Sequence, residues 1–392
     1  MSSHVPEDLT GSVGWVNSHV ARLADNNNPL PLDCGDYLAP IDVEYETYGQ
    51  LNVAHDNAIL VLHALSGDAH AAGWSADAEV KNRPWLNKGP GWWDQIIGPG
   101  KALDTDQYFI ICSNVLGSCY GTTGPASLSP ETGQPYALTF PVVTVGDWVR
   151  LQERLITALG IERLYAVIGG SLGGQQALEW TLAYPERVSQ AIILATASRL
   201  DVQGVAFNAV GRHAITSDPN FNNGSYYGQD QPERGLSAAR MIGHVTYLSD
   251  ESMDRKFGRR ISHGNPLSYQ LEAEFEIENY LQHQGQSFVQ RFDANSYLYI
   301  TRAMDYYDAA DWANGDLEQA CQRIQSRLLL VSFSTDWLYK PAQLRELAYA
   351  LSRNRKSVSY VDFPSPYGHD AFLLEHEKLS PLISAFLKGG GC

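Results

Sequence analysis

Gly169-Gly170-Ser171-Leu172-Gly173 spells G-x-S-x-G. A serine with glycines two places before and two places after it can stand at the apex of a turn too sharp for larger flanking side chains. An apolar run at 164–168 leads into this pentapeptide and a helical pattern at 172–184 leads out of it. On such a strand-to-helix turn the hydroxyl projects from strained backbone. The free N–H groups at the helix start then offer positive potential to an oxyanion. The chemistry is acyl transfer through a nucleophilic serine. In a chain with 34 glycines the pentapeptide alone is weak, and its flanking elements give it weight.

A serine nucleophile needs a base and a group to orient that base. In α/β hydrolases the chain order is serine, acid, histidine. Near the C-terminus, Gly368-His369-Asp370 follows an apolar run at 358–363 by a short loop, so His369 is the candidate base. His376 lies within 371–378 and reads as a surface helix residue. The acid should follow the preceding strand. Residues 328–333 are that strand and Asp336 comes just after it. Asp362, inside a strand, and Asp370, beside the histidine, are rival acids. One oxyanion donor should be the N–H after the nucleophile, that of Leu172. The other should come from the loop after an early strand, where His63-Ala64-Leu65-Ser66-Gly67 follows 58–62, and Leu65 is the candidate.

These residues need a scaffold. Residues 43–48 alternate apolar and polar, as a half-buried strand does. Runs at 58–62, 108–112, 164–168, 191–195, 328–333 and 358–363 are nearly continuously apolar, as in strands buried on both faces of a parallel sheet. A mostly apolar helical stripe covers 144–159 and stops at Gly160, and the helix at 172–184 stops at Pro185. Alternating strands and helices imply a doubly wound α/β fold with a mostly parallel sheet. Between 198 and 315 the alternation breaks into helix-like segments such as 234–249 and 272–283. That stretch reads as a helical lid inserted between two strands, leaving 36–197 and 316–388 as the catalytic domain. Residues 1–35 read as an extended arm, and the Gly389-Gly390-Gly391 tail as disordered.

Bulk properties narrow the function. The net charge is −16, and such a surface repels phosphate backbones and anionic lipid, which excludes nucleic acid and membrane as main partners. An enzyme using polyanionic CoA needs a local basic patch against this field. Five widely spaced cysteines without a CxxC pair suit reduced thiols in a cytoplasm and no metal site. Neither a signal peptide nor a membrane-spanning run is legible.

With the motifs in place, the chain resembles the homoserine O-acyltransferase family of the α/β-hydrolase fold from about residue 38 to 387. The resemblance rests on His63-Ala64-Leu65-Ser66-Gly67-Asp68-Ala69-His70, Gly91-Trp92-Trp93-Asp94, Gly121-Thr122-Thr123-Gly124-Pro125, 169–180, Arg291-Phe292-Asp293-Ala294-Asn295 and 367–373. Leu172 and Gln176 depart from it, since many members carry methionine there. A residue at 172 serves through its backbone N–H, so that change is harmless. The resemblance implies acyl transfer from acyl-CoA to the hydroxyl of L-homoserine towards methionine, with acetyl-CoA as co-substrate, no resident cofactor, and a homodimer through the lid helices. By position it puts substrate binding on Arg212 and Asp370. A cation for the carboxylate and an anion for the ammonium suit a zwitterionic amino acid.

The resemblance also places a donor-specificity position two residues after the acid, at Leu338, where succinyl-using members tend to carry arginine. Leucine there implies acetyl rather than succinyl. Serine as the acceptor, a succinyltransferase, a hydrolase with the same triad, and a catalytically dead binding protein are the rival readings. Thiol release with each donor and acceptor separates them.

Overall fold

The computed structural model describes residues 9–262, 267, 269 and 271–389. Its centre is an eight-stranded sheet. The strands are β1 (His19–Ala24), β2 (Ile41–Tyr48), β3 (Ala58–Leu62), β4 (Phe109–Ser113), β5 (Leu164–Gly170), β6 (Val188–Leu194), β7 (Arg327–Phe333) and β8 (Val358–Phe363). Their spatial order is β8-β7-β6-β5-β3-β4-β2-β1. From β4 to β8 neighbours run parallel, while β2 is antiparallel to both β4 and β1.

The continuous apolar runs are strands because both faces of the sheet are covered. Along β3, Ala58, Leu60 and Leu62 enter one core while Ile59 and Val61 enter the other. The first core packs against α1 (Val145–Ala158) through Trp148 and Leu155, and against α2 (Leu172–Ala183) through Leu178 and Trp180. The second meets α8 (His376–Leu387) through Leu379, Ile383 and Leu387. Each fully buried Leu or Ile contributes about 1.5–3 kcal/mol.

α1 begins where its cap dictates. Thr144 Oγ1 accepts the N–H of Asp147 at 3.1 Å, and the Asp147 carboxylate accepts that of Thr144 at 2.8 Å. Gly160, at φ +76°, turns the chain out of the helix.

One expectation differs from the structure. The segment read as an arm supplies β1, an edge strand paired antiparallel to β2 from His19↔Tyr45 to Ala24↔Ile41. Arg154 from α1 fastens it by donating to the carbonyls of Leu23 (3.1 Å), Asn28 (2.9 Å) and Pro29 (2.9 Å). An exposed edge strand has only one apolar face, so its pattern is faint in sequence. Of the glycine tail, Gly390 and Gly391 lie outside the described residues.

Between β6 and β7 the chain forms α3 (Val202–Thr216), α4 (Glu233–Tyr247), α5 (Asp250–Lys256), α6 (Glu276–Val289) and α7 (Ala294–Tyr306). α3 packs on α4 at close quarters. A Cβ on Gly235 would lie 2.4 Å from the Ala214 carbonyl oxygen. No helix among the described residues is long and apolar enough to cross a membrane.

Candidate active site

Ser171 stands between β5 and α2 at φ +57°, ψ −124°, a conformation that costs about 1–3 kcal/mol for a non-glycine residue. The neighbouring glycines are forced. A Cβ on Gly169 would sit 2.3 Å from the Gly173 carbonyl oxygen, and one on Gly173 would sit 2.0 Å from that of Leu62. The strain holds the hydroxyl against the His369 ring, with Nε2 2.8 Å from Ser171 Oγ. The other ring nitrogen, Nδ1, is 2.8 Å from Asp336 Oδ2. Asp336 Oδ1 accepts the N–H groups of Leu338 (3.0 Å) and Tyr339 (2.8 Å), so both its oxygens are engaged. Tyr339 stacks on the His369 ring at 5.2 Å.

All three residues are buried, at 7%, 3% and 2% exposure for Ser171, His369 and Asp336. Burial lowers the His369 pKa, but the charge and hydrogen bond of Asp336, helped by the charge of Asp370, outweigh it and hold the ring above its ordinary 6.5. The rival acid Asp362 is occupied elsewhere. It accepts Ser332 Oγ at 2.9 Å and faces Arg345 at 3.8 Å. His376 opens α8.

The loop holding Leu65 is built on His63. That ring is buried, and burial lowers its pKa to about 4 despite the Ala64 carbonyl bond, so it is neutral. Nδ1 donates to the Ala64 carbonyl at 2.7 Å, and Nε2 accepts the Val115 N–H at 3.2 Å. From the lid, Arg291 donates to the Ser66 carbonyl at 3.0 Å and to the Tyr120 hydroxyl at 2.7 Å. The N–H groups of Leu65 and Leu172 have no acceptor among the described residues.

A cavity of about 210 Å³ lies over Ser171 and His369, under α3, α4 and α7. Leu65, Leu338, Asp370, Arg240, His244 and Tyr247 are among the residues that line it. Among the described residues, neither the Asp370 carboxylate nor the Arg240 guanidinium has an ion-pair partner. Burial raises the Asp370 pKa, although His369 and Arg240 oppose it. Arg240 donates to Ser66 Oγ at 3.3 Å and lies over the rings of Phe288 (4.7 Å) and Tyr247 (5.7 Å).

Arg212 is not in this cavity. It pairs with Asp305 at 2.5 Å, donates to Thr301 Oγ1 at 3.2 Å, and lines a separate surface hollow with Leu138, Val142 and Arg302. Among the described residues, the lid arginine that lines the cavity over Ser171 is Arg240, not Arg212. Arg240, Gly243 and Tyr247 follow buried Leu236 on one face of α4 and line the cavity, and a cation on a helix's inward face was the available signal. No group of three or more His, Cys, Asp or Glu among the described residues could hold a metal ion.

A family model for the alpha/beta hydrolase fold matches residues 57–376. A homoserine O-acetyltransferase of Methanohalobium evestigatum is 53% identical over 96% of this chain and 74% of its own length. The chain belongs to the homoserine O-acyltransferase family of the α/β-hydrolase fold. A homoserine O-succinyltransferase of Magnetococcus marinus is 50% identical over 97% of this chain and 96% of its own. The crystal structure of a homoserine O-acetyltransferase from Bacillus anthracis superposes with a TM-score of 0.86 at 29% identity, over 95% of this chain and 98% of that one. Both donors thus occur among relatives of about equal similarity, so family membership alone does not choose between them.

Proposed function

We propose that the chain is a homoserine O-acetyltransferase, moving acetyl from acetyl-CoA to the hydroxyl of L-homoserine by way of acetyl-Ser171. The carrying observation is the combination at one cavity of the Ser171–His369–Asp336 relay with a cation, Arg240, and a carboxylate, Asp370, that have no ion-pair partner among the described residues. The volume suits a small amino acid beside a two-carbon acyl group.

In the first half-reaction His369 Nε2 takes the Ser171 proton as Oγ attacks the thioester carbonyl. The N–H groups of Leu65 and Leu172 receive the oxyanion. Collapse expels the CoA sulfur, which takes the proton from His369. Homoserine then enters, its carboxylate to Arg240 and its ammonium to Asp370. His369 removes the hydroxyl proton, the oxygen attacks the acetyl-serine, and collapse returns the proton to Ser171. Arg240 replaces Arg212 in this reading, because Arg240 lines the cavity over Ser171 while Arg212 lines a separate hollow. Water would compete with homoserine, and the lid over the cavity favours transfer by excluding it.

Acetyl rather than succinyl is supported by Leu338 and by the lining, in which Arg240 is the sole arginine or lysine among the described residues. Once Arg240 holds the acceptor carboxylate, no other arginine or lysine among the described lining residues is left to pair with a succinyl carboxylate. The reading includes a homodimer through the lid helices, a cytoplasmic location and a place in methionine biosynthesis. The test is thiol release. Acetyl-CoA alone should give a single-turnover burst and an acetyl group on Ser171, with steady turnover only when homoserine is added. Steady release without an acceptor would make the protein a hydrolase, and preference for succinyl-CoA would change the donor.

A further inference from the structure

One helical turn beyond Arg240, α4 brings a second polar side chain to the same cavity. His244 is 6% exposed. Its Nδ1 lies 3.2 Å from the Tyr280 hydroxyl of α6, with the two rings edge to face at 5.7 Å and 86°. Its Nε2 is buried and has no hydrogen-bond partner among the described residues. Leaving such an atom unpaired costs about 1–3 kcal/mol, so its presence calls for a partner.

The surroundings define that partner's charge. Burial, then Arg240, Lys256 and Arg291, all push the His244 pKa down, to about 3, so the ring is neutral. A neutral imidazole has one N–H and one lone pair. Burial raises the Tyr280 pKa, so its hydroxyl keeps its proton and can donate it to Nδ1. The ring hydrogen then sits on Nε2. Three cations act on this ring, and Arg240 lacks an ion-pair partner, so the group missing from this corner is an anion. Side chains four apart on a helix have Cβ atoms about 5–6 Å apart, close enough for two donors to share one carboxylate. A neutral N–H adds a bond there without adding a like charge beside Arg240.

We propose that His244, fixed by Tyr280 as the Nε2–H tautomer, is the second donor to the carboxylate of the acceptor amino acid, alongside Arg240. The inference rests on the acyltransfer reading and makes His244 a specificity residue. An acceptor without a carboxylate leaves both buried donors unpaired and is rejected for that reason.

The test compares kcat/KM for homoserine with that for 3-aminopropan-1-ol, which has the same hydroxyl and amine but no carboxylate. Acetyl-CoA is the donor, and the full chain is assayed as wild type, His244→Ala, His244→Gln and Tyr280→Phe. His244→Ala should lower kcat/KM for homoserine roughly ten- to hundredfold, chiefly through KM, as loss of one hydrogen bond to a charged group does. The amino alcohol should lose far less, so the preference for homoserine shrinks. His244→Gln keeps an N–H donor and should recover part of that preference, while Tyr280→Phe should lose part of it by freeing the tautomer. Equal losses on both acceptors would mean a merely structural role and overturn the proposal, as would an unchanged preference in every variant. A wild type that fails to acetylate homoserine would refute the acyltransfer reading and this proposal together, and that failure is visible before any variant is made.

Discussion

Asp336 grips His369 with one carboxylate oxygen and is itself gripped by the other. Oδ2 lies 2.8 Å from His369 Nδ1, while Oδ1 accepts the N–H groups of Leu338 and Tyr339. The backbone after β7 thereby fixes the carboxylate, and the carboxylate fixes the ring that reaches Ser171. Asp336→Asn should fold normally and lower kcat by about 10⁴, the size of effect seen when a triad acid is neutralised. Asp362→Asn should stay near wild type, because Asp362 bonds Ser332 rather than the histidine. Steady-state kinetics with circular dichroism checks both, and the reverse order of losses would move the acid to Asp362.

The pH profile follows from the same contact. His369 accepts the serine proton only when its ring is neutral, and its pKa is held above 6.5 because the charge and hydrogen bond of Asp336, with the charge of Asp370, outweigh burial. Ser171 acylation by acetyl-CoA should therefore fall as pH drops through a midpoint above 6.5. Asp370→Asn removes one charge that raises this pKa, so the acid limb should move to lower pH. Pre-steady-state thiol release across pH measures it without acceptor binding entering. An acid limb that stays in place or moves upward would show that Asp370 does not act on the base.

Arg240 and Arg212 should separate cleanly. Arg240→Ala should raise the homoserine KM by roughly one to two orders of magnitude, since a buried donor to a charged group is lost. The acetyl-CoA burst should persist. Arg212→Ala strips Asp305 of its close partner in a mostly buried pair and should cost about 3 kcal/mol of stability. It should leave the homoserine KM near wild type. Thermal unfolding and acceptor titrations distinguish the two. A large KM effect at Arg212 with none at Arg240 would return the carboxylate site to the outer face of the lid.

These two arginines also mark how far the sequence could be read. Ser171, His369 and Asp336 were legible because each follows a strand directly, and strand ends in a parallel sheet converge on one edge. The β3 run at 58–62 was legible because burial on both faces leaves no polar interruption. The lid was different. Arg212 and Arg240 both lie on helices, and which one faces Ser171 depends on how α3 packs against α4. The close approach at Gly235 and Ala214 sets that packing, and neither helix's own pattern contains it. β1 escaped notice for a related reason, because its partner β2 and the tether Arg154 are distant in sequence.

Donor choice can be tested at Leu338. Its N–H donates to Asp336 Oδ1 at 3.0 Å, so the acid's own hydrogen bond fixes its backbone, and its side chain packs with Leu200 and Tyr339 at the cavity wall. A succinyl group would bring a second carboxylate into this partly buried, apolar corner. Burying that charge without a partner costs several kcal/mol. The other candidate arginines, Arg199, Arg234 and Arg302, do not line the cavity; Arg199 pairs with Asp308 at 3.2 Å and Arg302 approaches Asp305 at 3.8 Å. Leu338→Arg would place a guanidinium where the distal carboxylate must lie and form a charge-assisted pair with it. The same change would crowd an acetyl methyl group and put an unpaired cation beside it. Wild type should therefore favour acetyl-CoA, and Leu338→Arg should shift the ratio of kcat/KM towards succinyl-CoA by about tenfold or more, as one such bond is worth about 1.5–3 kcal/mol. Initial rates with both donors at saturating homoserine measure the ratio. A wild type that prefers succinyl-CoA would reverse the assignment, and an unchanged ratio in the variant would move donor selection away from Leu338.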